Sequence, residues 1–119
     1  MASVIENLEK LEKDILSKIG VTTIVKRPGD GFITQVGTLY QNVPTINVRA
    51  YAFDTEKEVF FILLNELHRT EIEHPSENLI LFIIDEYHTC NEKIKKNINE
   101  FIDINLNRNN IHFILVDYE

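Results

Sequence analysis

The spacing of hydrophobic and polar positions changes several times along the chain, and each change marks an expected element. Val4, Ile5, Leu8, Leu11, Ile15, Leu16 and Ile19 recur at helical spacing, while Glu6/Lys10, Glu9/Lys13 and Asp14/Lys18 stand four apart on the outer side. Ser3 with Glu6 forms a capping box at the start of this helix, and Gly20 supplies its stop. From Val21 the pattern becomes β-branched alternation. Val21 to Arg27 and Phe32 to Tyr40 read as two strands joined by a turn at Pro28-Gly29-Asp30-Gly31. A second turn, Gln41 to Pro44, leads into a third strand from Thr45 to Phe53, with Ile46, Val48, Ala50 and Ala52 opposite Asn47, Arg49 and Tyr51. Together these predict an antiparallel meander.

The second half returns to helical spacing. Thr55 with Glu58 forms another capping box, and Leu63, Leu64 and Leu67 favour a helix over Glu56 to Arg69, although Val59 to Leu64 also suits a buried strand. The uninterrupted apolar run Leu79 to Ile84 predicts a strand covered on both faces, near the centre of a sheet. Thr89 with Glu92 opens a third helix that turns Ile94, Ile98, Phe101 and Ile102 inward. An Asn-rich break from Asn105 to Asn110 then precedes a last strand, Ile111 to Tyr118. A right-handed crossover makes the last two strands parallel. The expected order is α-β-β-β-α-β-α-β, an α+β fold with an α/β-type C-terminal part and one mixed sheet flanked by helices.

Composition narrows the setting. A chain of 119 residues, 44% hydrophobic and 26% charged with no low-complexity tract, is expected to form one domain over residues 1–119. Its first ten residues mix charges with apolar side chains, unlike a secretory signal, and its apolar runs fall short of the roughly 20 residues of a spanning helix. Cys90 is the only cysteine, which suits a reducing, cytoplasmic setting. The formal charge of -7 repels phosphate, so neither broad nonspecific nucleic-acid binding nor an anionic membrane surface is expected.

Candidate chemistry gathers after the buried strand, in Asp85-Glu86-Tyr87-His88, with Asp117 ending the neighbouring strand. Ligand sites in α/β sheets favour such strand ends. Asp85, Glu86 and Asp117 are the residue types that hold Mg²⁺ or Mn²⁺, and His88 is placed to assist proton transfer. The plainer reading is that Asp85 and Glu86 solvate a strand exit. His68 and His74 match no zinc spacing, Lys93, Lys95 and Lys96 spread around a solvated helix, and no Gly-x-Ser-x-Gly elbow surrounds Ser3, Ser17 or Ser76. Cys90 lies near a helix start, where a thiol is activated if exposed and silenced if buried.

Asp85-Glu86-Tyr87-His88 resembles the Asp-Glu-x-His box of helicases, but no Gly-x-x-x-x-Gly-Lys-Ser/Thr loop accompanies it. The order α-β-β-β-α-β, over about the first two thirds of the chain, resembles the common core of restriction-endonuclease-like proteins. That resemblance implies a metal-binding aspartate at Asp30, in Pro28-Gly29-Asp30. It also sets Asn47-Val48-Arg49 where the family carries Glu-x-Lys, so one carboxylate of the cleavage site is missing.

Two functions follow as expectations. The first is a non-enzymatic protein-binding, inhibitory or adaptor module that meets a partner's basic surface through acidic residues and the loops around Asn42, His74 and Asn107. The second is a small metal-dependent phosphodiesterase or nuclease using Asp85, Glu86, Asp117 and His88. A homo-oligomer paired through the last strand is a further expectation.

Overall fold

Helices and parallel strands alternate along the whole chain. The structure, a computed structural model, describes residues 2–50, 53, 56–75, 79–108 and 110–119. The elements are α1 (Val4–Leu16), β1 (Val21–Lys26), α2 (Phe32–Leu39), β2 (Thr45–Arg49), α3 (Glu56–Glu73), β3 (Ile80–Asp85), α4 (Glu92–Asn105) and β4 (Ile111–Tyr118). All three strand pairings are parallel, in the order β1-β4-β3-β2.

The expected antiparallel meander is therefore overturned, because the segment read as its middle strand is the helix α2. Phe32, Val36 and Tyr40 fit an alternating face and, with Ile33, a helical one, and the β-branched Ile33, Thr34, Val36 and Thr38 favour the strand. Burial decides it: Phe32 and Val36 are fully enclosed beneath the sheet, whereas Thr34 and Thr38, which a strand would set on that same face, are exposed. The Pro28-Gly29-Asp30-Gly31 turn begins a crossover rather than a hairpin. Gly31 adopts φ 86°, a left-handed conformation that launches α2, and Asp30 Oδ1 accepts the Phe32 N–H at 2.9 Å. With this helix in place, the topological resemblance to restriction-endonuclease-like proteins is lost as well.

Strand alternation divides the core into two layers. Ile80, Phe82 and Ile84 of β3 and Ile111, Phe113 and Leu115 of β4 face α3 and α4, where Phe82, Phe101 and Phe113 meet at 5.4–6.1 Å. Leu81, Ile83, Ile114 and Val116 face Leu11 of α1 and Phe32 and Val36 of α2. Every residue of β3 is buried, as the apolar run predicts for a central parallel strand. The neighbouring β4 is central too, hydrogen-bonded to β1 and β3, so the expectation of an exposed last strand is corrected.

Local signals account for the helix ends. The Ser3/Glu6 capping box forms in both directions. Cap Thr55 lies outside the described residues. At α4 the cap is Asn91, which accepts from Ile94 N at 2.9 Å, rather than Thr89, whose hydroxyl donates to Glu86 O at 2.7 Å. Gly20 is not the stop of α1: the helix ends at Ser17, Lys18 takes the left-handed φ of 55°, and Ile19 N–H closes the end on Asp14 O at 3.2 Å. Gly20, at φ 92°, instead leaves room for Leu106, whose Cδ2 would stand 2.8 Å from an added Cβ.

The two sheet edges differ. Gly20 O and Lys26 O accept from β4, which turns the carbonyls of Thr23 and Val25 outward. Both are closed by α1, with Lys10 Nζ donating to Thr23 O at 2.6 Å and Asn7 Nδ2 to Val25 O at 3.2 Å. Below them, Thr22 donates to Asp14 Oδ2 at 2.8 Å and so accepts from His112 Nε2 at 2.7 Å.

His112 is buried, and that burial lowers its pKa below the ordinary 6.5 against the opposing pull of Asp14. Its folded form is neutral, so its contribution to stability is complete above pH 6.5 and is lost as the pH falls from there through the lowered folded value. Urea unfolding between pH 8 and 5 will show this as a slope of at most about 1.4 kcal/mol per pH unit, which the His112→Gln variant lacks.

Candidate functional site

All four strands end at one edge of the sheet, and the register there fixes which side chains meet. Lys26 lies opposite Tyr118, and Arg49 opposite Asp85. Alternation places Lys26, Tyr118 and Asp85 on the α1/α2 face, in phase with the enclosed Ile24, Val116 and Ile83. Tyr118 donates its phenolic hydrogen to Asp85 Oδ1 at 2.8 Å, and the Lys26 ammonium sits over the Tyr118 ring at 4.6 Å. Lys26 also pairs with Asp30 Oδ1 at 3.2 Å. The result is a connected row, Asp30–Lys26–Tyr118–Asp85.

Electrostatics follow from that row. The Tyr118 pKa is pushed up to about 12, first by burial, then by its hydrogen bond to Asp85 and the negative charges of Asp85 and Glu86, with Arg49 opposing. Ionising the phenol would set a phenolate against the Asp85 carboxylate. Asp85 also accepts the N–H of Glu86, which holds a left-handed φ of 60° and turns the chain into a one-turn 3-10 helix, Tyr87–Thr89. The exposed His88 ring lies 5.4 Å from the Tyr118 ring.

The sequence-predicted residues are brought to one edge but not to one centre. Asp117, next to Tyr118, falls on the α3/α4 face with Leu115, whereas Asp85 faces α1 and α2. Among the described residues no three His, Cys, Asp or Glu side chains are grouped to hold a metal ion. Glu86 Oε2 and Asp117 Oδ1 are nevertheless buried without a hydrogen-bond partner. Cys90 is buried, and that burial raises its pKa against the influence of Lys95, with Asp117 adding to the rise. It is held as the thiol, not as an activated thiolate.

Lys26 and Tyr118 are the members of the row that sequence reasoning missed. Lys26 shares the phase of Thr22 and Ile24, both buried, and that phase was the available signal. Asp30 has its turn role and a second role as the partner of Lys26.

The β1–Pro28-Gly29-Asp30-Gly31–α2 unit has the strand, glycine loop and helix order of a phosphate-binding loop. Phe32 and Ile33 stand where such a loop carries Lys and Ser/Thr, and Phe32 is fully enclosed in the core. The anion at this helix start is the chain's own Asp30 carboxylate. No family model, curated protein or solved structure matches the chain.

The Lys26–Asp30 pair lies within the fold, with side chains 5% and 16% exposed, while Arg69 of the Arg69–Glu66 pair is 64% exposed. Replacing Lys26 with Met is expected to cost about 3 kcal/mol in denaturant unfolding, whereas Arg69→Ala costs under about 0.5 kcal/mol. Equal effects would show that the row contributes no more than a surface pair.

Proposed function

We propose that this domain is a non-enzymatic, cytoplasmic protein-binding module, inhibitory or adaptor in kind, that meets a basic partner through its acidic surface. The reading rests on the internal pairing at the carboxyl edge, where α/β sheets place their chemistry. Asp30 is bonded to Lys26 and to the start of α2, and Asp85 to Tyr118 and Glu86 N–H. All four contacts fall on Oδ1 atoms and fix both carboxylates in structural roles. The charge of -7 favours encounter with a basic surface, and the thiol Cys90 suits a reducing compartment.

A second reading, a small phosphodiesterase using Mg²⁺ or Mn²⁺, draws support from the orphaned oxygens of Glu86 and Asp117. Asp85 is directed to the other face, so that pair would carry the ion, while the His88 ring lies by Tyr118.

One set of variants separates the two. Charge reversals over a contiguous exposed surface are expected to abolish capture of a specific host protein without changing the melting temperature, and millimolar Mn²⁺ is expected to leave that temperature unmoved. If no reversal alters capture and Mn²⁺ stabilises the wild type but not Asp117→Asn, the metal reading replaces the binding one.

A further inference from the structure

The unequal treatment of the two sheet edges points to where a partner docks. Leu81 N–H donates to Pro44 O at 3.0 Å, which fixes the alternation of β2: Ile46 and Val48 turn their backbone groups to β3, and Thr45 and Asn47 turn theirs outward. The corresponding carbonyls of β1 are closed by Lys10 and Asn7. Among the described residues nothing bonds the outward backbone groups of Thr45 and Asn47, and both residues are exposed. An unprotected edge beside a protected one is a template for another strand.

A groove runs along this edge, walled by Glu66, Arg69, Thr70, Glu73 and His74 of α3 and the turn beyond it. We infer that β2 accepts an extended, Lys- or Arg-bearing segment of a partner protein as a fifth strand, a basic side chain meeting Glu73. This inference rests on the protein-binding reading and assigns its surface. Charge chooses the occupant. Arg69 is bonded to Glu66, so Glu73 is the uncompensated charge of the groove among the described residues. A second copy would bring the same acidic wall from a chain that also carries -7, whereas a basic segment brings the complement. Main-chain bonds to Thr45 and Asn47 would supply affinity, and the groove would supply preference among side chains.

The test pans the whole protein against displayed random dodecapeptides and measures the enriched peptides by fluorescence anisotropy. Enriched sequences are expected to alternate β-branched or aromatic residues with Lys or Arg. Asn47→Pro removes an outward N–H and no ladder bond, so it is expected to weaken binding about tenfold or more. Glu73→Lys is expected to weaken it as well. N-methylation of alternate residues along one edge of the peptide makes the same test without altering the protein. Peptides that bind Asn47→Pro and their own N-methylated forms undiminished overturn the edge assignment and leave the protein-binding reading standing. Failure to enrich any peptide overturns the assignment too, and the broader reading is then decided by the charge-reversal capture. Sedimentation showing a dimer that Asn47→Pro dissociates overturns it in favour of a second copy.

Discussion

Parallel pairing of β3 with β4 governs the rest of the structure. These two strands are buried on both faces, so each needs helices above and below, and their parallel sense requires the chain to return through α4. Extending that sense to β1 and β2 brings every strand end to one edge. There, side chains distant in sequence, Lys26, Asp85 and Tyr118, become neighbours, and their charges must be satisfied locally. The Asp30–Lys26–Tyr118–Asp85 row is what the topology makes necessary.

Much of this fold was readable where one period clearly prevailed. The capped amphipathic run of α1, the unbroken apolar strand β3 and the final strand Ile111–Tyr118 each have a pattern without a serious rival. At α2 two periods competed. Eight residues rich in β-branched side chains alternate well enough to pass for a strand, and only the burial of Phe32 and Val36 with Thr34 and Thr38 left exposed separates helix from strand. That burial is tertiary: it exists because β4 and β3 lie above the helix. A hairpin at the glycine turn would run β1 antiparallel to its neighbour, whereas the crossover through α2 keeps it parallel to β4.

The candidate site was legible in its addresses but not in its pairings. Asp85, Glu86, His88 and Asp117 do lie at strand ends, yet strand alternation sends Asp85 and Asp117 to opposite faces, which no count along the chain reveals without the register. The partner that satisfies Asp85 comes from Tyr118, 33 residues away. Lys26 was hidden for a related reason, since a lysine at the end of a strand ordinarily points to water, and this one is covered by the Tyr118 ring.

The internal closure of this edge is tested most directly at its central hydroxyl. A ¹³C-tyrosine NMR titration, with the Tyr118 resonance assigned through Tyr118→Phe, follows that phenol alone. Closure requires Tyr118 to ionise at about 12, because its proton is held by Asp85 in a partly buried site. Ionisation at the ordinary value of 10.0 would mean a phenol open to water and an Asp85 carboxylate free for other chemistry, contrary to the structure described.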